Sequence, residues 1–274
     1  MGERQLDKLE VTGSSPVAPI PVLPVQAGGQ LRRDRLRQVS GGSAGVLEVW
    51  QVDLRRPKRW IDEARGSLLD PAEADRRGRE TDAVWQRRVV ARAALRVALS
   101  RRLGLEPRAF RIEVDSRGKP GLVGAQGGPG IHFNIAHSGS ACVIALSARG
   151  PVGVDVEIAR ERTHMERIVR RRFAPVEAAE ILSLTGEERR RAFYRVWTRK
   201  EAYLKATGIG LEAELDSFAV SAGAEPTLIS QPAGQDAHWT LADLDLGPGL
   251  QGALATSGKP VGMPRSIHPP LLPM

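Results

Sequence analysis

Two apolar periodicities alternate along the chain, which predicts a protein built of both helices and strands. Apolar positions three and four residues apart indicate a long amphipathic helix at about 82–103, along a stripe of Val84, Arg88, Ala91, Leu95 and Leu99. Asp70 followed by Pro71 predicts the start of an earlier helix. Further helices are expected near 164–173, 175–184 and 187–207, and strands near 46–54, 110–114, 131–135, 141–147, 153–157, 217–221, 239–245 and 250–256.

The two ends of the chain lack such a pattern. Residues 1–44 are rich in Pro, Gly, Ser and Val and include a short arginine cluster at 32–37. This composition buries too little apolar surface to offset chain entropy, so we expect a disordered extension. The proline-rich segment 259–274 is expected to be a flexible tail.

Composition narrows the class of protein. The 274 residues carry a net charge of +8, which favours a polyanionic partner. Cys142 is the single cysteine, which excludes an internal disulfide, and its apolar surroundings predict a buried side chain. No apolar run approaches the roughly 20 residues that cross a bilayer, and no signal-peptide pattern is present, so a cytoplasmic protein without membrane attachment is expected.

Two acidic segments carry the candidate chemistry. In GVDVE at 153–157, strand alternation turns Asp155 and Glu157 to the same side. In the predicted helix 187–207, Glu201 lies one turn from Lys205. Taken singly, these would be an edge-strand charge pair and a solvated Glu–Lys pair. Together they offer carboxylate oxygens of the kind that Mg²⁺ prefers, with a lysine cation beside them.

These segments resemble the 4′-phosphopantetheinyl transferases of the surfactin-synthetase-activating type. The family pattern is G-[IV]-D-[IV]-E, then W-[ST]-x-K-E-[AS]-x-x-K, then G-x-G-L. In this chain it reads 153–157, 197–205 and 208–211, and the resemblance covers roughly 46–256.

The resemblance implies an α+β fold of two similar halves, 45–137 and 138–258, related by a pseudo-two-fold axis. Each half would hold a small, mainly antiparallel sheet and a long helix, with the active site between the halves. A monomer is also expected from this architecture.

The implied reaction moves 4′-phosphopantetheine from coenzyme A to a serine of an apo acyl or peptidyl carrier protein and releases adenosine 3′,5′-bisphosphate. Mg²⁺, with Mn²⁺ as a substitute, would be held by Asp155 and Glu201, and by Glu157 either directly or through water. Either Glu201 or Glu157 would assist deprotonation of the serine. Lys205 would hold the pyrophosphate and stabilise the leaving phosphate.

The same resemblance predicts contacts to the coenzyme. FNIAHSG at 133–139 matches F-N-[IL]-S-H-S-G except at Ala136, where serine is usual, so a missing hydroxyl is expected to affect coenzyme affinity. We read 136–140 as a tight turn that grips phosphate. The expected contacts are Arg76, Arg79, Arg88, Lys119, His137, Ser138, Lys200 and Lys205, with Arg77 or Arg87 as alternatives for the arginines.

Two other functions fit parts of the sequence. A basic nucleic-acid-binding protein would explain the charge, but aromatic residues are only 4% and no helix-turn-helix, RNP or zinc pattern occurs. A relative that binds coenzyme A without transferring a group is disfavoured because every charged motif position is filled. The motifs of serine hydrolases, zinc proteases and nucleotide-binding loops are missing. No nucleic-acid partner is therefore expected.

Overall fold

A four-stranded sheet and a three-stranded sheet, each packed against one long helix, form most of the structure. The computed structural model describes residues 47–75, 78–115, 118–123, 130–209, 214–232, 237–258 and 266–267, all within one compact unit. In chain order the elements are β1 (Leu47–Asp53), α1 (Lys58–Ser67), α2 (Pro71–Ala74), α3 (Asp82–Leu103), β2 (Ile112–Val114), β3 (Pro120–Leu122), β4 (His132–Ser138), β5 (Ala141–Ser147), β6 (Val152–Ile158), α4 (Met165–Arg172), α5 (Pro175–Ser183), α6 (Gly186–Thr207), β7 (Ala219–Val220), β8 (Leu228–Ser230), β9 (Trp239–Leu244), β10 (Leu250–Ser257) and β11 (Ser266–Ile267).

The first sheet has the strand order β11-β1-β5-β4, and the second has the order β6-β10-β9. All pairs within them are antiparallel except β1 with β11. Two short hairpins, β2–β3 and β7–β8, stand apart from them. The expected α+β class with small, mainly antiparallel sheets is confirmed. The pseudo-two-fold relation of the halves stays a prediction, as do their boundaries.

Three apolar cores hold these layers. Helices α1 and α3 pack on one face of the first sheet, and α6 packs on the second sheet. The third core joins the two sheets and includes Val143 of β5 and Val154 and Val156 of β6. The valines of β6 therefore face the first sheet, as the alternation in the sequence predicts.

Capping residues set the ends of the two long helices. The Thr81 hydroxyl accepts a hydrogen bond from the Val84 N–H at the start of α3. Gly104 (φ +67°) and Gly208 (φ +70°) end α3 and α6 in the left-handed conformation that glycine adopts without strain. The predicted bounds of α3 are confirmed, but Val84 is 43% exposed, so the buried stripe begins later.

Strand β4 differs from its prediction in a way that affects the site. It continues to Ser138, and the turn to β5 is only Gly139–Ser140. Ala136, His137 and Ser138 are thus strand residues with alternating directions, and the prediction of a turn over 136–140 was wrong. The sequence did not indicate a strand here, because the small and polar residues at 136–140 are typical of turns.

Several short elements were not predicted, namely α1, β3 and β8. Each buries few side chains; in α1 these are Trp60, Ile61 and Ala64. Within the predicted tail, β11 pairs with β1. The rest of that tail and the extension 1–44 lie outside the described residues.

The seam between β4 and β6 is closed by side chains. Asn134 Oδ1 accepts a hydrogen bond from the Val154 N–H at 2.9 Å, and Ser138 Oγ accepts one from the Ile158 N–H at 3.3 Å. The equal spacing in both strands places Ala136 opposite Val156. Because alternate amides of a strand point the same way, we infer that the Val156 N–H points toward the Ala136 methyl group. Ala136 is buried in this seam.

Candidate active site

The site forms where α6 lies directly against β6. A methyl group built on Gly153 would overlap the Ala202 carbonyl oxygen and the Ala206 amide. The absence of a side chain at Gly153 therefore lets the two backbones approach closely. Asp155 follows Gly153 on the same face of β6, so it points toward α6 and meets the side chains of that helix.

Asp155 and Lys205 are joined across this contact. Lys205 Nζ donates to Asp155 Oδ1 at 2.6 Å. Asp155 is 6% exposed, and its Oδ2 is buried with no hydrogen-bond partner among the described residues. Burial raises the pKa of Asp155 to about 7, with Lys205 opposing the shift and the charges of Glu201 and Glu157 adding to it. An unpaired, desolvated carboxylate oxygen is a strong ligand for a cation.

Glu201 lies beside Asp155, one turn before Lys205 on α6. Burial raises the pKa of Glu201; Lys205 opposes the shift, Glu157 adds to it, and Arg172 of α4 opposes it. The charge of Glu201 thus acts on Asp155, and the charge of Glu157 acts on both. The structure brings together the predicted carboxylates Asp155, Glu157 and Glu201 with Lys205.

Glu157 is held from the neighbouring sheet. Ser138 Oγ donates to Glu157 Oε2 at 2.8 Å. Ser138 had been predicted to contact the coenzyme, but its hydroxyl proton is directed at this carboxylate. The contact was missed because the sequence interpretation placed Ser138 in a turn rather than on a strand beside β6.

His137 points to the opposite side of β4 from Ser138 and keeps an exposed face. Surrounding protein lowers the pKa of His137, and the positive charges of Lys205 and Arg87 lower it further, whereas Glu157 raises it. These shifts place His137 near a cluster of cations. Arg87, given above as an alternative to Arg88, is the arginine of α3 that acts on it.

Lys119 has a partner that the sequence did not suggest. Its Nζ donates to the backbone carbonyl oxygen of Lys205 at 2.6 Å, at the C-terminal turn of α6. Burial lowers the pKa of Lys119, and Asp115 opposes that shift. Lys119 also lines a cleft of about 460 Å³ beside the β2–β3 hairpin, together with His132 and Phe133. The cleft therefore reaches, through Lys119, the helix that carries Glu201.

Lys200 is not part of the cluster, which corrects its prediction as a coenzyme contact. Its side chain is 0% exposed and forms an ion pair with the equally buried Glu177 at 2.8 Å. Its Nζ also donates to the carbonyl oxygens of Leu215 and Phe218. Lys200 thus secures α6 to the segment that follows it.

The remaining predicted coenzyme contacts are arginines at the start of α3 and just before it. Arg88 forms an ion pair with Glu80 at 2.6 Å, and Arg79 is exposed. Arg76 and Arg77 lie outside the described residues. Trp197, one turn before Glu201, stacks on Phe193 in the aromatic core of α6 rather than on the carboxylates.

The donor set suits a hard divalent cation. The three carboxylates, among them that of Asp155 with its unpartnered Oδ2, supply oxygen ligands of the kind that Mg²⁺ prefers. As the side chains stand, no group of three or more His, Cys, Asp or Glu residues among the described residues is arranged to hold a metal ion. The Lys205 ammonium places a positive charge against Asp155.

Comparison with known proteins shows the family. The 4′-phosphopantetheinyl transferase superfamily model, ACPS, matches residues 151–256. A putative 4′-phosphopantetheinyl transferase of Synechocystis is 34% identical over 73% of this chain and 80% of its own length. The 4′-phosphopantetheinyl transferase HetI of Nostoc is 32% identical over 77% of this chain and 88% of its own. The chain belongs to the 4′-phosphopantetheinyl transferase superfamily, and it is an enzyme of that class.

Two further matches complete the comparison. The 4′-phosphopantetheinyl transferase Sfp of Bacillus subtilis is 31% identical over 64% of this chain and 76% of its own length. The crystal structure of Thermotoga maritima holo-[acyl-carrier-protein] synthase (AcpS) matches with a TM-score of 0.30 and 24% identity, over 40% of this chain and 64% of that one. A score this low does not define the fold. Among the described residues, no helix has the length and apolar character to span a membrane.

Proposed function

We propose that this enzyme transfers 4′-phosphopantetheine from coenzyme A to the serine hydroxyl of an apo acyl or peptidyl carrier protein. Membership of the family supports the group that is transferred. The observation that supports the chemistry is the meeting of Asp155, Glu157, Glu201 and Lys205 at the β6–α6 contact.

In the proposed step, the serine oxygen attacks the phosphorus of the phosphate that bears the pantetheine arm. The bond from that phosphorus to the bridging oxygen of the pyrophosphate breaks, and its electron pair leaves with adenosine 3′,5′-bisphosphate. The serine proton passes to a carboxylate. Glu201 suits this role because burial raises its pKa. Glu157, whose charge acts on Glu201, is the alternative proton acceptor.

Asp155, Glu157 and Glu201 would hold Mg²⁺, for which Mn²⁺ could substitute. When bound, the metal would neutralise the negative charge that develops on the phosphates. Lys205 already neutralises Asp155 in the structure. In the proposed complex its ammonium contributes the same charge to the departing phosphate.

The nucleotide end of coenzyme A would be bound by cations around the cleft. His137 lies in the field of Lys205 and Arg87, which makes its surroundings attractive to phosphate. Lys119 lines the cleft and would exchange its helix carbonyl for a phosphate oxygen. Arg79, Arg88 and Arg76 remain candidates for the 3′-phosphate and adenine.

The test is to incubate the protein with coenzyme A, Mg²⁺ and a panel of apo carrier proteins, and to read each carrier by intact mass. One phosphopantetheine should be added to a serine, and EDTA should stop the reaction. Glu201→Gln should abolish transfer, whereas Glu187→Gln, at the exposed start of the same helix, should not. No mass gain on any carrier, together with salt-sensitive binding to duplex DNA, would favour the nucleic-acid function instead.

A further inference from the structure

We propose that Ser138 is a positioning residue, which holds the Glu157 carboxylate toward Asp155 and Glu201 from the neighbouring sheet. The inference rests on the proposed function, because it assigns a role to Glu157 in that site. It also replaces the coenzyme contact that the sequence suggested for Ser138.

The hydrogen bonds around Ser138 fix the direction of its hydroxyl. Its oxygen accepts from the Ile158 N–H at 3.3 Å, which turns the single proton away from that amide. The proton is donated to Glu157 Oε2 at 2.8 Å. Ser138 thus forms hydrogen bonds to two adjacent residues of β6, to the backbone of Ile158 and to the side chain of Glu157.

Glu157 needs such a restraint. Its side chain has three rotatable bonds and is half-buried at the end of β6, so solvent is an accessible alternative position. Asp155 and Glu201 carry the same charge in the same cluster, so they repel it. Among the described residues, the Ser138 hydroxyl is the one hydrogen-bond donor to the Glu157 carboxylate. Without that bond, repulsion would turn the carboxylate outward.

The register of the two strands shows that the contact between Ser138 and Glu157 follows from the fold. Asn134, four residues earlier on β4, bonds to the Val154 amide, which lies four residues before Ile158. These two bonds set the register of β4 beside β6. Ser138 therefore stands opposite Glu157 and Ile158 because the seam places it there.

The experiment compares Ser138→Ala, Ser138→Thr and two controls. Asn134→Ala removes a seam bond without touching Glu157, and Ser147→Ala removes a buried serine from β5. Steady-state kinetics with saturating carrier give kcat and the KM for coenzyme A. Binding of Mn²⁺ to the enzyme alone, followed by electron paramagnetic resonance, and the melting temperature provide readouts that need no turnover.

Removing a hydrogen-bond partner of a metal-binding carboxylate commonly costs 10–100-fold, so Ser138→Ala should lower kcat and Mn²⁺ affinity about tenfold each. The KM for coenzyme A should stay within about twofold, since the contact is not to the coenzyme. Ser138→Thr, which keeps the hydroxyl, should restore most of both. Ser147→Ala should change neither.

Three results would overturn the proposal. A rise in the KM for coenzyme A alone would make Ser138 a coenzyme contact. Equal losses of kcat and Mn²⁺ affinity in Asn134→Ala would make the effect one of the seam as a whole. Unchanged kcat and Mn²⁺ binding in Ser138→Ala would show that Ser138 does not position Glu157. If the parent protein modifies no carrier, the proposed function fails, while the Mn²⁺ measurement still decides whether Ser138 positions Glu157.

Discussion

Lys119 donates a hydrogen bond to the backbone carbonyl oxygen of Lys205 at 2.6 Å, so a residue of the β2–β3 hairpin caps the helix that carries the active-site carboxylate. A cation at the C-terminus of a helix satisfies a free carbonyl and complements the helix dipole. The same ammonium lines the cleft proposed for the nucleotide of coenzyme A. Lys119 is therefore placed to connect coenzyme binding with the end of α6.

Lys119→Ala should raise the KM for coenzyme A about tenfold with little change in kcat, because a remote phosphate contact binds ground and transition states alike. With 3′-dephospho-coenzyme A, most of the difference from the parent should disappear. Lys58→Ala, an exposed lysine on α1, is the control. A mutant equally impaired with both compounds would show that Lys119 does not reach the 3′-phosphate.

Lys200→Met should destabilise the protein by about 3–5 kcal/mol, because it removes the cation that pairs with the buried Glu177 and leaves that carboxylate only the N–H donors of Ala174 and Val220. The double variant Lys200→Met, Glu177→Gln should recover part of that loss. Urea unfolding measures both. The folded fraction of the single variant should keep the parent KM for coenzyme A; a raised KM with unchanged stability would restore the coenzyme contact.

Gly153→Ala should separate α6 from β6, because its methyl would overlap backbone atoms of Ala202 and Ala206 that cannot rotate away. We expect a loss of at least about 2 kcal/mol of unfolding free energy and a fall in kcat as Glu201 moves from Asp155. Gly66→Ala is the matched control. It lies in α1 with nothing within 4 Å of the new methyl, and it should stabilise the protein by about 0.5–1 kcal/mol. Equal stabilities would contradict the close approach.

Asp155 should make the metal-free protein less stable as pH rises. Its pKa is 3.8 when unfolded and about 7 when folded, so between these values the folded state binds more protons than the unfolded state. Its contribution to the unfolding free energy then falls by up to about 1.36 kcal/mol per pH unit and levels off above pH 7. Measured in EDTA, the stability of Asp155→Asn relative to the parent should rise over this window. A difference that is constant with pH would contradict the shift.

Ala136→Ser should stabilise the seam, since a hydroxyl there would meet the Val156 N–H as Asn134 and Ser138 meet their amides. A gain of about 0.5–1.5 kcal/mol is expected from one neutral hydrogen bond. The KM for coenzyme A should not change, because Ala136 faces the seam. Ala145→Ser, in the same apolar core but on the central strand β5, should destabilise instead. A lower KM without stabilisation would place position 136 at the coenzyme after all.

The acidic cluster could be predicted from sequence because its spacing follows directly from strand and helix periodicity. Alternation set the direction of Asp155 and Glu157, and one helical turn related Glu201 to Lys205. The same geometry explains the error at Lys200. Adjacent helix positions point about 100° apart, so Lys200 cannot share the face of Glu201.

Other features depended on contacts between distant segments. The bond from Lys119 to Lys205 joins residues 86 positions apart, and the sequence contains no local pattern for it. The role of Ser138 required knowing that β4 lies beside β6, which no pairing rule indicates because their backbones form no ladder. Local periodicity gave the elements, whereas packing between sheets decided which polar groups meet.

The seam between β4 and β6 is also the place where the structure should open first. Each sheet is held by continuous backbone ladders, but at this boundary Asn134 and Ser138 join the strands through single side-chain bonds. Local opening follows the weakest cooperative boundary, so the amides of Val154 and Ile158 should exchange with solvent before those of β5. Opening there separates Ser138 from Glu157 and opens the third core, which joins the two sheets, while the cores around α3 and α6 stay folded. On heating, activity should therefore be lost before the circular dichroism of the helices and sheets.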